Sequence, residues 1–174
     1  EVEADALHEP QARAVEQLED GAVALAERCR RVGGLEQASH LDPLTAEARQ
    51  ITSGAGRSPA EYGIALARAE HAVRFLPDVA RYQDVLGAAQ FRTGRFEDAL
   101  KSLRRGRELA EEDNPASLAF EAMALARLGR TQSAQERLAS LRQLLASRPA
   151  WRSQSIDALL REVTALVGNP AGGS

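Results

Sequence analysis

Tyr62, Ala65, Leu66, Ala69 and Ala72 are answered 34 positions later by Phe96, Ala99, Leu100, Leu103 and Gly106. Gly94, Ala99 and Leu103 are answered again, 35 positions on, by Gly129, Ala134 and Leu138. Within each set the residues recur at the spacing of one helix face, and glycine or proline punctuates the intervals. A period of this length accommodates two short helices and a turn, a unit too small to bury its own apolar face. Copies of such a unit must therefore stack on one another, and the sequence is read first as a stack of helix pairs.

Composition supports that reading. Hydrophobic residues make up 44% of the 174 and aromatics only 4%, with Ala and Leu dominant. Small apolar residues of good helix propensity suit closely packed helices better than sheets, which favour β-branched and aromatic side chains. Cap and stop signals then divide the chain. Pro10 opens a helix whose stripe Val15, Leu18, Ala22, Leu25, Cys29, Val32 ends at Gly33-Gly34. Asp42-Pro43 caps a helix to about Thr52, and Ser58-Pro59-Ala60-Glu61 is a capping box for one reaching Phe75. Pro77-Asp78 caps a helix over Val79–Thr93, Phe96 begins the next, Asn114-Pro115 caps one to Leu128, and Thr131 caps one to Ser147. An amphipathic helix over Ser153–Val167 presents Ile156, Leu159, Leu160, Val163 and Leu166 on one side.

Leu86-Gly87 followed by Arg92-Thr93-Gly94-Arg95-Phe96-Glu97-Asp98-Ala99-Leu100 resembles the tetratricopeptide repeat family. Repeats fall at about 46–79, 80–113 and 115–148, and the likeness covers roughly 100 residues. It is uneven: Gln83 and Gln90 stand where the family usually has aromatics, and Glu121 where it has Leu. The resemblance implies an all-α, right-handed α-solenoid of antiparallel helix pairs, about 2.5 to 3 units long. Residues 1–42 are then an N-terminal helical cap or decayed repeat, 149–168 a C-terminal capping helix, and 169–174 a flexible tail. Gly87, Ala122, Ala65, Ala99 and Ala134 are expected at close helix crossings, and Gly94 and Gly129 at chain reversals.

Several chemistries lack their residues. His8, His40 and His71 lie in different elements without metal-ligand spacing, and the single Cys29 sits on an apolar stripe. Gly54-Ala55-Gly56 is followed by no Gly-Lys-Ser/Thr, and no serine occupies a nucleophile elbow. No catalytic, cofactor or metal site is expected. The net charge of −3 gives no basis for general nucleic-acid affinity, although residues 1–57 hold 11 acidic and 6 basic side chains and residues 114–174 hold 4 and 7. No apolar run or leader pattern points to a membrane, and a cytoplasmic location is expected. Glu1 at the start and Gly172-Gly173-Ser174 at the end read as cuts from a longer polypeptide.

The resemblance implies that the first helices of successive pairs line an inner groove. It places Arg81, Asp84, Phe91, Arg92 and Arg95 there from one repeat, and Phe120, Met123, Arg127 and Arg130 from the next. Chaperone-binding members of the family clamp a peptide carboxylate with cationic and amide groups; here Asp84, Ala88 and Met123 occupy matching positions, so that ligand is not expected. The groove instead suits a protein or peptide partner with apolar anchors, on Phe91, Phe120 and Met123, and acidic flanks, on the arginines. Phe91 and Phe120 also fit a second role, packing between repeats. The function expected is a protein-interaction scaffold. Alternatives are a non-catalytic regulatory or positioning segment of a multidomain enzyme such as a Ser/Thr kinase or protease, in line with a likeness to repeat segments of bacterial signalling proteins, or a self-associating structural subunit.

Overall fold

A computed structural model describes residues 41–168, which form helices with short connections and no strand. The helices are α1 (41–53), α2 (Pro59–Phe75), α3 (Ala80–Arg92), α4 (Phe96–Leu109), α5 (Pro115–Arg127), α6 (Thr131–Ser147) and α7 (Gln154–Gly168), with a 3-10 turn at Pro149–Trp151. The all-α expectation holds for these residues. The expected helix through Val32, together with His8, Cys29, His40 and the 169–174 tail, lies outside the described residues.

Local chemistry sets the main boundaries. The Ser58 hydroxyl accepts from the Glu61 N–H at 3.3 Å while the Glu61 carboxylate accepts from the Ser58 N–H at 2.9 Å, a reciprocal cap with Pro59 first in the helix. The Tyr62 hydroxyl fixes the preceding loop, donating to the Gly54 carbonyl at 2.8 Å and accepting from the Arg57 N–H at 3.2 Å. Asn114 caps α5 by accepting from the Ala116 N–H at 3.0 Å. Gly94 and Gly129 follow α3 and α5 with φ of +81° and +72°, a region costly for any residue with a Cβ.

Three expected caps are not formed. The chain is already helical at Leu41, so Asp42 lies within α1, and its carboxylate accepts from Arg81 and Tyr82 of α3, both at 2.7 Å. Asp78 leaves the cap position of α3 to Val79 and pairs with Arg105 of α4 at 2.6 Å. For both aspartates a partner on a neighbouring helix wins over the local backbone. Thr131 is the first residue of α6, behind Arg130, and makes no cap.

Each helix from α2 to α7 packs on the next, most extensively α3 on α4 and α5 on α6. In addition α3 touches α5 and α5 touches α7, while Ala48 and Ile51 of α1 pack with Ala65 and Ala69 of α2 and Val85, Leu86 and Ala89 of α3. Thus α1, α3, α5 and α7 are successive neighbours, and α2, α4 and α6 each pack on the two members of that row beside them. The crossing of α3 and α4 explains Gly87: a Cβ there would lie 2.5 Å from Leu103 Cγ and 3.1 Å from the Ala99 carbonyl oxygen. Ala65, Ala99, Ala122 and Ala134 are all fully buried. The largest apolar cluster runs from Ala88 of α3 to Leu159, Val163 and Val167 of α7.

Polar residues in motif positions are used as ties. Gln83 donates to the Pro77 carbonyl at 2.8 Å, and the Ser102 hydroxyl donates to Gln90 Oε1 at 2.8 Å across the α3–α4 contact. Glu121, 4% exposed, accepts from Arg107 of α4 at 2.9 Å and pairs with Arg137 of α6 at 3.2 Å. Its two guanidinium partners compensate a charge that would otherwise be costly to bury.

Candidate interaction face

The row α1, α3, α5 and α7 lines a partly open cavity of about 310 Å³. Val85, Ala88, Phe120 and Leu159 supply apolar wall, Asp84, Asn114 and Ser117 supply polar wall, and Asp42, Arg49 and Arg81 also border it. Toward the C-terminal ends of α1 and α3 lies a second, more open depression of about 640 Å³, bordered by Tyr62, Phe91, Phe96, Arg127, Glu162 and Leu166 among others.

Arg92 stands between the two. Its side chain is only 6% exposed. Nε donates to the Thr52 carbonyl of α1 at 2.9 Å, Nη2 donates to Glu162 Oε2 of α7 at 2.8 Å, and Nη1 donates to Glu162 Oε1. The guanidinium lies 5.2 Å from the Phe120 ring centroid, 5.7 Å from Phe91 and 5.9 Å from Tyr62. A planar fork paired bidentately and stacked among aromatic rings is the setting that Arg, and not Lys, fits. Arg92 thus joins three helices of the row across the face that α5 floors.

The other expected groove residues separate into groups. Arg81 and Asp84 border the 310 Å³ cavity with Phe120. Arg81 is held by Asp42, whose carboxyl is kept below its usual range first by the Tyr82 hydroxyl and then by Arg81 itself. Phe91, Phe120 and Met123 are 7%, 3% and 0% exposed, so most of their surface packs in the core, with the Phe91 ring 5.6 Å from both Phe96 and Phe120. The geometry favours packing between helices for them, with Phe120 bordering the first cavity and Phe91 the second. Arg95 is exposed and pairs with Glu70 of α2 at 2.8 Å and Asp98 at 3.2 Å, away from both cavities. Arg130 pairs with Glu97 at 2.7 Å. Arg127 is exposed and borders the open depression.

Asp84 has the most unusual environment. Burial pushes its carboxyl above the ordinary 3.8, partly opposed by its neutral neighbours Ser117 and Asn114. The Asn114 amide donates to it at 2.9 Å, and among the described residues it has no Lys or Arg partner. The Ser117 hydroxyl oxygen is buried and makes no hydrogen bond of good geometry. Sequence reasoning missed Ser117, Thr52 and Glu162. Thr52 contributes a backbone carbonyl, which no side-chain pattern reveals, and Glu162 lies 70 residues from Arg92.

Among the described residues no group of three or more His, Cys, Asp or Glu could hold a metal ion, and no helix is long and apolar enough to cross a membrane. No family model matches the chain, and no curated protein is significantly similar to it.

Proposed function

We propose that the chain is a protein-interaction scaffold of the tetratricopeptide type, a right-handed stack of antiparallel helix pairs whose inner face receives a peptide or helix of a partner. The single observation that carries this reading is the cavity shared by α1, α3, α5 and α7, an indentation made jointly by alternate helices of the chain. The 34-residue interval and the close crossing at Gly87 support the same architecture. Concave, mainly apolar clefts with a few polar groups are where partners and ligands bind.

Support for the two parts of the expected ligand is unequal. Apolar anchors have a wall to meet in Val85, Ala88, Phe120 and Leu159. Acidic flanks have less, because Arg92, Arg95 and Arg130 are already paired with carboxylates and Arg127 is left to meet them.

Selection of dodecapeptides from a random phage-displayed library tests the reading. Selected peptides should bind the wild-type chain and lose about tenfold or more of that affinity on Ala46→Trp, where an exposed alanine at the cavity edge becomes a bulky plug. A failure to enrich any peptide, or enrichment of peptides indifferent to Ala46→Trp, sinks the proposal.

A further inference from the structure

We infer that the cavity at Asp84 is a subsite for one long basic side chain, Lys or Arg, of the segment bound in the groove, with Asp84 as its counter-ion. The inference rests on the groove reading and adds to it the chemistry of the residue recognised.

Three observations converge on a cation. First, Asp84 borders the cavity, and its carboxylate has only neutral polar neighbours, Asn114 donating at 2.9 Å and Ser117 beside it, with no cationic partner among the described residues. A carboxylate desolvated in this way is held at a cost that an incoming guanidinium or ammonium would remove. Second, Ser117 beside it borders the same cavity, and its buried hydroxyl, which makes no hydrogen bond of good geometry, adds only a neutral dipole to the surroundings of Asp84. Third, the remaining wall is Val85, Ala88, Phe120 and Leu159, surface for the methylene stem of Lys or Arg. The volume of about 310 Å³ stands at the small end of ligand pockets, room for a long side chain and its immediate neighbours.

The other charges at the cavity do not already satisfy Asp84. Arg81 is committed to Asp42 at 2.7 Å, and Arg49 borders the cavity from α1 without pairing to Asp84. Gly106 is part of the arrangement as well. A Cβ at that position would come within 2.5 Å of Asp84 Oδ1, so the missing side chain on α4 lets the carboxylate settle between α3 and α4. Displacing Asp84 by Gly106→Ala would therefore alter the subsite without substituting any residue that lines it.

The test uses the full chain and small probes, so that it reads the subsite without a partner. Backbone amide NMR spectra are recorded during titration with N-acetyl-argininamide, N-acetyl-lysinamide and, as the neutral control, N-acetyl-glutaminamide. The basic probes should shift signals of Asp84, Asn114 and Ser117 saturably, and the glutamine probe should shift them at least about tenfold more weakly. Asp84→Asn, isosteric and free of the desolvated charge, should abolish the difference between basic and neutral probes. Ala46→Leu, at an exposed edge position, should weaken all three by obstruction. Equal responses to basic and neutral probes, or a basic preference that survives Asp84→Asn, would overturn the inference. Failure here with groove-dependent peptides still selected would leave the scaffold reading standing; peptides indifferent to Ala46→Trp would remove that reading whatever the probes do.

Discussion

Adding one methyl group at Gly87 sets two effects of opposite sign against each other. In an unconstrained helix Gly→Ala stabilises by about 1 kcal/mol, because the unfolded chain loses freedom and the helix gains propensity. At Gly87 the new Cβ would stand 2.5 Å from Leu103 Cγ and 2.9 Å from Leu103 Cδ2, against the roughly 3.5–4.0 Å of ordinary carbon contacts. Leu103 is 1% exposed, and the Ala99 carbonyl lies 3.1 Å away on the same crossing, so both a side chain and a backbone must yield. Overpacking of this kind costs about 1–3 kcal/mol, and a clash with both components belongs near the top of that range. Net destabilisation of about 2 kcal/mol follows, or a Tm lower by about 4–8 °C for a chain of this size. Gly63 supplies the control: it is an exposed position in α2 with nothing within 4 Å of its Cβ site, so Gly63→Ala should raise Tm by about 2–4 °C. Thermal melts followed by far-ultraviolet circular dichroism give both numbers. A Gly87→Ala chain as stable as the wild type, beside a stabilised Gly63→Ala, would refute the argument that α3 and α4 meet at this glycine.

Glu121→Leu introduces the apolar residue that the tetratricopeptide resemblance leads one to expect there and frees Arg107 and Arg137, which are 34% and 37% exposed, to turn to water. Urea unfolding should place it within about 1 kcal/mol of wild type, whereas Glu121→Ala should cost about 2 kcal/mol or more through the void it leaves. Arg92→Ala strands the Glu162 carboxylate and the Thr52 carbonyl and should cost about 3 kcal/mol by the same assay; a loss below about 1 kcal/mol would show that the strut is not formed. Asp84 has a folded-state pKa above its ordinary 3.8, so its penalty is absent below that pH, grows as pH rises toward the folded value, and is constant above it. The stability advantage of Asp84→Asn over wild type should therefore widen as pH rises from 3.8 and then level off, and a flat difference across that window would contradict a desolvated carboxylate. Deleting residues 149–174 removes Leu159, Val163 and Val167 from the core and Glu162 from Arg92. Hydrogen exchange should accelerate in α5 and also at the C-terminal end of α3; protection unchanged at α3 would mean that Arg92 does not carry the loss.

The helices were legible because their determinants are local. Ser58 with Glu61, Asn114 before Pro115, and Gly94 and Gly129 act within a few residues of themselves, and each does what its position in the sequence indicates. The crossing at Gly87 was legible for a related reason: an interval of 34 residues places its answering Ala99 and Leu103 in the adjoining helix. Asp42 and Asp78 misled because a cap signal reports only on the residues beside it, while Arg81 and Arg105 on neighbouring helices compete for the same oxygens. The candidate face was less legible again. Arg92, Arg95 and Arg130 read alike as cations flanking a groove, and the carboxylates that occupy them are set by three-dimensional neighbours.

Arg92 shows why the last difference matters for these helices. In a simple repeat array each unit meets only its neighbours, so stability is a sum of units and adjoining interfaces. The Arg92–Glu162 pair skips α5 and joins α3 to α7, and the same guanidinium holds the carbonyl end of α1. That contact couples the final described helix to the first described one through a single side chain. A ligand that enters the 310 Å³ cavity meets walls from the three helices so joined and from α5, Thr52 and Leu159 among them. Its fit is then governed by how firmly Arg92 is held as well as by the groups it touches. Because the arginine is already paired and stacked, the face is largely set before any partner arrives, which lowers the ordering cost of binding.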